Sequence, residues 1–305
     1  MKLHSLQAAR AIAAWLVIVD HVLLELTGND VTNPTTHLAW FLGSAGVYLF
    51  FVISGFIMVH ISWDSFGRES APSNFLRRRL VRIVPLYWLA TFAALAYHRV
   101  SETHGGHAGL IELGYSLAFI PHLDGDGSWS PILPQGWTLS YEMMFYGLFG
   151  LALCLPRRAA LLVVASALCA LVLAGPLQSS TVVSYLASPI VLWFVLGIGL
   201  AVVWRRFGLR EPDRLARAAR FLEPLGDASY STYLVHGVVL TLILRLWLKA
   251  AGSPSFWLVP ASLVIATLAG WLTHIAVERP LLAWGSDLWR PRERIAASLS
   301  GAGKP

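Results

Sequence analysis

Eight long apolar runs constrain the fold of this 305-residue chain more than any other feature of its sequence. A membrane hydrocarbon core about 30 Å thick is crossed by an α-helix of about 20 mostly apolar residues. The runs with this length and composition are 5–26, 40–61, 80–98, 137–155, 159–176, 184–204, 229–248 and 256–277. Each run is therefore predicted to span a membrane.

Composition excludes a water-soluble fold. Hydrophobic residues make up 56% of the chain and charged residues only 13%, where soluble domains carry about 25% charged residues. No stretch outside the apolar runs is long enough to build a core of its own. We predict one all-α membrane domain over 1–305, a polytopic bundle of eight to ten spans. Its core covers 3–280, and 281–305 form a cytoplasmic tail.

Lysine and arginine in the short loops predict the orientation. With both termini in the cytoplasm, the basic loop residues lie inside and only Arg99 and Lys249 remain in outer loops, as the positive-inside rule requires. The apolar segment 110–121 is too short to cross, so it is predicted to be re-entrant or interfacial on the outer face. The formal charge of +6 is explained by this orientation without nucleic acid.

Ionisable residues inside spans are candidates for function, because they are costly to bury in hydrocarbon. They are Arg10, Asp20, His21, Glu25, Glu142, His236, Arg245 and His274. Arg10 and His21 are eleven residues apart, so on a helix they share one face at a separation of roughly 16 Å. Two interpretations stay open. They form one functional stripe, or Arg10 reaches to the inner surface while His21 satisfies a neighbouring carbonyl.

Glu142 and His21 each lie five residues inside the predicted outer end of their span, and equal depth predicts that they meet. A carboxylate beside an imidazole makes it a better base for a hydroxyl group. Asp20 points about 100° away from His21 and is not expected to orient it. A buried pair that only joins two helices is the alternative.

Arg78 and Arg82 are four residues apart in a basic loop and are predicted to share a helical face. Guanidinium groups bind phosphate oxygens in pairs, so the two suit a phosphate-rich ligand. Orientation in the membrane explains the same residues without a ligand.

Six segments in order make the chain resemble the membrane acyltransferase-3 family, in particular its bacterial exopolysaccharide O-acetyltransferase branch. They are the opening stretch with Arg10 and His21, FFVISGF at 50–56, FLRRRLVRIVPLYW with Arg78 and Arg82, QGWTLSYEMMFY at 135–146 with Glu142, YSTYLVH ending on His236, and VERPL at 277–281. The resemblance extends over 3–280. The family usually has about ten spans, two more than the apolar runs found here.

The resemblance implies a bacterial inner-membrane enzyme that uses acetyl-CoA as co-substrate, with no permanently bound cofactor and no metal. The acceptor is a hydroxyl of a carbohydrate, free or lipid-linked, and membrane lipids surround the protein. His21 is expected to be the general base, or an acetylated intermediate, with Glu142 orienting it.

The remaining site residues implied by the resemblance serve the donor. Arg10, Arg78 and Arg82 are expected to hold acetyl-CoA, and Ser54 to line its channel. His236 is expected in that channel too, seven residues from the inner end of its span and too low to join His21.

Two other functions fit the same sequence. A transporter or flippase for a lipid-linked glycan would use the buried charges as a proton relay, although paired broken helices are not evident. An acyltransferase acting on a small molecule or a lipid would keep the fold and change only the acceptor.

Overall fold

The apolar runs fold into helices in a computed structural model that describes residues 3–101, 109–123, 127–175 and 181–287. No β-strand is formed within these ranges. The helices are α1 His4–Thr27, α2 Pro34–Ser62, α3 Ala71–Ser101, α4 Leu110–Leu117, α5 Gly136–Ala152, α6 Arg157–Ala174, α7 Thr181–Leu186, α8 Leu192–Arg206, α9 Asp213–Arg220, α10 Glu223–Asp227, α11 Ser229–Ala251, α12 Leu258–Thr273 and α13 Arg279–Asp287. The all-α class is confirmed.

In the described part of the chain, six helices are long and apolar enough to cross a membrane. They include α2, α3, α6, α8 with the 3₁₀ turn before it, α11, and α12 with its continuation. The other two predicted spans correspond to α1, which has 24 residues and carries Arg10, Asp20 and Glu25, and to α5, which has only 17 residues. The chain is a multi-pass bundle of helices.

Glycines on α2 let α1 and α8 approach its backbone. A Cβ atom on Gly43 would collide with the carboxylate of Asp20, and one on Gly46 would collide with the backbone of Ala13. On the other side, Gly55 of α2 lies against the backbone of Phe194 on α8. Small residues at helix contacts are typical of membrane bundles, and here they place α2 between α1 and α8.

The segment before α5 enters the bundle from the predicted outer face. Tyr87 on α3 donates a hydrogen bond to the carbonyl of Ser116 at 3.0 Å, and Tyr233 on α11 donates one to the carbonyl of Gln135 at 3.2 Å. The side chain of Gln135 packs against Gly237 on α11. α5 therefore begins inside the bundle, beside the first turns of α11, which explains why it is short.

The two ends of the described chain are packed on the bundle. Glu211, in the loop after α8, accepts hydrogen bonds from the backbone N–H groups of His4 and Ser5 at the start of α1. At the other end α12 passes through a π-helical turn, His274–Glu278, into α13, where Gly285 lies against Val81 of α3. The first part of the predicted tail is thus helical as far as Asp287, and Gly285 is packed on α3, whereas 288–305 lie outside the described residues.

Candidate active site

A cavity of about 220 Å³ lies between α1, α2, α3, α5 and α11. Three arginines, Arg10, Arg79 and Arg82, line it together with Glu142 and Tyr146. We call it the arginine cavity. Arg10, on α1, is hydrogen-bonded to Gln7 at 3.3 Å. Positive charge therefore dominates one side of a largely apolar chamber.

The arginine cavity uses Arg79 and Arg82, which are three residues apart on α3, and not Arg78. The side chain of Arg78 is exposed and does not line this cavity, so the cavity pairs Arg82 with Arg79 and not, as predicted, with Arg78. Spacings of three and of four both put side chains on one helical face, and sequence alone does not choose between them. Packing makes the choice, because Leu76 of α3 lies against Gly150 of α5.

Glu142 is held by hydroxyl groups. Tyr146, one turn later on α5, donates a short hydrogen bond to its carboxylate, and Ser54 on α2 donates another at 3.3 Å. Ser54 lines the arginine cavity with Glu142, as its predicted role in a channel requires. The Nε atom of Arg79 is buried and has no hydrogen-bond partner among the described residues. The cavity thus presents an unused donor beside a fixed carboxylate.

A larger cavity of about 620 Å³ lies along the same face of α2, closer to the start of that helix, and is lined by His21 and His236. We call it the histidine cavity. Its polar lining includes Asp20, His21, Gln135 and His236, and its aromatic lining is Trp40, Tyr48, Trp137 and Tyr233. It has the size and the mixed apolar and polar walls of a small-molecule site.

His21 and His236 contact each other, with ring centroids 5.1 Å apart in an edge-to-face arrangement. Nδ1 of His21 lies 2.9 Å from the carbonyl oxygen of Val17, and Nδ1 of His236 lies 2.6 Å from that of Tyr233. A carbonyl oxygen can only accept, so both Nδ1 atoms carry hydrogen. When the rings are neutral, each Nε2 is therefore an acceptor without hydrogen. An imidazole in this tautomer can take a proton from a hydroxyl group.

The predicted separation of His236 from His21 is wrong. Gly226, just before α11, lies against the backbone of Gln7 on α1, which sets α11 one turn higher along α1 than the predicted span ends suggested. The side chain of His21 also leans towards the start of its helix, as side chains on α-helices do. Both effects bring the two rings to one level.

The predicted contact between His21 and Glu142 is also wrong, because the two residues line different cavities. Glu142 lies deeper than expected, since α5 begins inside the bundle and not at its surface. The carboxylate beside His21 is that of Asp20, with Oδ2 3.3 Å from Nδ1. The carboxylate of Asp20 fits here because the facing residue on α2 is Gly43, which has no side chain to collide with the carboxylate.

Three buried atoms in the histidine cavity have no hydrogen-bond partner within the described ranges. They are Oδ1 of Asp20, Oε1 of Gln135 and Nε2 of His236, and each is an acceptor in the state described above. His21 adds a fourth acceptor, and its side chain is 45% exposed because it faces open space. Buried polar groups are normally paired, so the three unpaired acceptors packed behind the exposed imidazole of His21 mark this region as a candidate binding site.

The other predicted ionisable residues, Glu25, Arg245 and His274, line neither the arginine cavity nor the histidine cavity. Glu25 lines a third cavity of about 220 Å³ that also touches His21 and Gln135. The guanidinium of Arg245 lies over the ring of Tyr97, and His274 is paired with the buried Glu278 at 2.8 Å. Among the described residues no cluster of ligands for a metal ion is found.

Sequence reasoning missed four contributors to these cavities, Arg79, Gln135, Tyr146 and Tyr233. Gln135 and Tyr146 bound the segment that was singled out for Glu142, and Tyr233 lies three residues before His236. The helical spacing of three between Arg79 and Arg82 was a usable signal. No sequence signal pointed to Gln135, because its burial depends on the path of the chain before α5.

Comparisons with known proteins identify the family and two relatives. The family model described as an acyltransferase domain matches residues 3–179. The exopolysaccharide production protein ExoZ of Rhizobium meliloti (strain 1021) is 32% identical, over 91% of this chain and 97% of its own length. The acyltransferase MdmB of Streptomyces mycarofaciens is 25% identical, over 92% of each chain. No solved structure matches.

The matched family region contains α1, α2, α3 and α5, which carry Arg10, His21, Arg82 and Glu142. More than half of the chain lies within it, and the relative named for exopolysaccharide production is similar over almost the whole length. The chain belongs to the membrane acyltransferase-3 family.

Proposed function

We propose that the protein is an O-acetyltransferase that moves an acetyl group from acetyl-CoA to a hydroxyl group of an exopolysaccharide or other cell-surface glycan. One observation carries this proposal. The arginine cavity is lined by three guanidinium groups, the histidine cavity is lined by the exposed imidazole of His21 with unpaired acceptors behind it, and the two cavities adjoin at Val47 and Tyr233. An anionic donor and a polyhydroxyl acceptor are complementary to these two chambers.

The arginine cavity serves the donor. Arg10, Arg79 and Arg82 offer guanidinium groups to phosphate oxygens, and Arg79 has an unused Nε donor for such a contact. Arg78 stands outside the lining and contributes long-range attraction only. Glu142 lies among the arginines and fixes their arrangement, in place of the role beside His21 that its sequence position suggested.

The histidine cavity serves the acceptor. A sugar hydroxyl donates a hydrogen bond to Nε2 of His21, with the unpaired acceptors of Asp20, Gln135 and His236 packed behind it, and the rings of Trp40 and Tyr48 offer flat apolar faces to a sugar ring. The likeness to a relative named for exopolysaccharide production supports a glycan over a lipid or a drug-like molecule.

The chemistry follows from the free Nε2 of His21. This atom takes the proton of a sugar hydroxyl while the oxygen attacks the thioester carbonyl, and Asp20 stabilises the imidazolium at Nδ1. The C–O ester bond forms, the C–S bond breaks, and CoA leaves as a thiolate that recovers the proton from His21. Neither a metal nor a bound cofactor is needed for this sequence of steps.

The location proposed is a bacterial inner membrane with both termini in the cytoplasm. The basic loops support it, and acetyl-CoA in the cytoplasm then approaches the arginines from the inner face. The acceptor approaches from the outer face, where the segment before α5 enters the bundle.

Reconstitution tests the proposal. The purified protein in lipid nanodiscs is given acetyl-CoA labelled in the acetyl group together with the deacetylated polysaccharide of the source cell. We expect labelled O-acetyl esters on the polymer by NMR, lost in His21→Ala and kept in the control His122→Ala, which lies outside both cavities. Deletion of the protein should remove acetyl signals from a polymer of unchanged length. A missing or shortened polymer would instead support a transporter.

A further inference from the structure

The arginine and histidine cavities are separated by a thin wall. Of the described residues, Val47 on α2 and Tyr233 on α11 line both cavities. Any group that passes from one chamber to the other therefore passes these two side chains.

Tyr233 is a fixed part of this wall. Its hydroxyl group is 2.8 Å from Oγ1 of Thr138 and donates to the carbonyl of Gln135 at 3.2 Å. Its ring packs edge to face on Phe50, with centroids 5.8 Å apart. Rotation of the ring would break both hydrogen bonds inside a buried region, so the opening does not adapt on this side.

The backbone that carries Val47 is equally fixed. Gly46 lies against the backbone of Ala13 and the side chain of Val17, and Gly43, one turn earlier, lies against Asp20. α2 cannot move towards α1 because no space remains between them, and Gly55 locks its other side against α8. The two methyl groups of Val47 therefore set the width of the passage.

We propose that Val47 determines the size of the acyl group that the enzyme transfers. This inference rests on the proposed function, in which the thioester reaches the histidines from the arginine cavity. The thioester carbon must then lie at the wall, because His21 and His236 are on its far side. The substituent of that carbon packs against the Val47 methyl groups, so a methyl group fits and a longer or branched chain collides.

Donors of increasing size test this role directly. We expect the wild-type protein to use acetyl-CoA far better than butanoyl-CoA or 2-methylpropanoyl-CoA. Val47→Ala removes two methyl groups and should raise the ratio of kcat/KM for butanoyl-CoA to that for acetyl-CoA by at least about tenfold, the usual effect of one methylene in an apolar pocket. Val59→Ala is the matched control, since Val59 is buried on the same helix and lines neither cavity.

Val47→Phe closes the passage and gives the opposite result. Binding of CoA itself, measured by calorimetry, should stay at the wild-type level, because the arginines are untouched. Acetyl transfer should fall at least about tenfold. Size-exclusion chromatography and thermal unfolding in detergent establish that each variant is folded.

The outcomes separate this inference from the function on which it depends. An unchanged donor ratio in Val47→Ala, with an active wild-type enzyme, would overturn the role of Val47 alone. The same relaxation in Val59→Ala would also overturn it, since the effect would then come from general loosening of α2. A wild-type protein that transfers no acyl group from any CoA ester would overturn the proposed function and this inference together.

Discussion

The imidazole rings of His21 on α1 and His236 on α11 meet edge to face, with centroids 5.1 Å apart, at the wall of the histidine cavity. Each ring donates from Nδ1 to a carbonyl of its own helix, so the two Nε2 atoms are left as acceptors. We therefore expect the two histidines to act on the same acceptor. In the proposed mechanism His21, which faces the open chamber, is the base, and His236, which is fully buried behind it, helps to hold the bound acceptor in place.

His21→Ala should lower kcat by a factor of about 10² to 10⁴, because a general base typically contributes this much. His236→Ala should instead raise KM for the acceptor more than it lowers kcat. Both variants should bind CoA like the wild type, since neither residue lines the arginine cavity. Steady-state kinetics with varied acceptor distinguishes the two roles. Full activity of His21→Ala would remove this residue from the mechanism.

Double variants report which carboxylate works with His21. Asp20 lies 3.3 Å from it and Glu142 lines another cavity, so Asp20→Asn and His21→Ala should be strongly non-additive. Glu142→Gln and His21→Ala should combine multiplicatively in kcat/KM. The three single and two double variants are compared at saturating acetyl-CoA. Non-additivity between Glu142 and His21 would show that they form one unit in the working enzyme.

Arg78, Arg79 and Arg82 should differ in their effect on binding of the donor. Arg79→Ala and Arg82→Ala each remove a charge-assisted contact to phosphate, worth roughly 1.5 to 3 kcal/mol, and should weaken CoA binding about tenfold or more. Arg78→Ala serves as the internal control, because its exposed side chain does not line the arginine cavity. Lysine should restore binding only in part at 79 and 82. Equal losses at all three positions would mean that they act only through net charge.

Cysteine labelling tests the orientation. In a background without Cys154 and Cys169, which are both exposed side chains, Ser253→Cys between α11 and α12 should react with an impermeant maleimide from outside. Arg214→Cys on α9 should react only after the membrane is opened. His104→Cys is expected to follow Ser253→Cys, although His104 lies outside the described residues. The reverse pattern would place the arginine cavity on the outer face and exclude cytoplasmic acetyl-CoA.

The amino-acid sequence by itself determined the class of the molecule and most of its chemical groups. An apolar run long enough to cross the membrane must be helical, because hydrocarbon offers no hydrogen-bond partner for backbone N–H and C=O groups. Charged residues inside such helices are few, so each can be singled out as a candidate for function. Arg10, His21, Glu142 and His236 were all found in this way. Which of these residues lie close together was not predicted correctly. Helical spacing relates residues on one helix and says nothing about the register between two helices.

Tertiary structure decided which of these groups meet. Gly226 against Gln7 raises His236 to the level of His21, and Gly43 makes room for Asp20 beside it. The re-entry of the chain before α5 lowers Glu142 into the arginine cavity, and packing of Leu76 on Gly150 turns Arg79 towards it while Arg78 faces out. These are contacts between backbones and small residues that are distant in sequence. A shift of about one helical turn, roughly 5.4 Å, between neighbouring helices changes which of these side chains meet, and no local pattern records it.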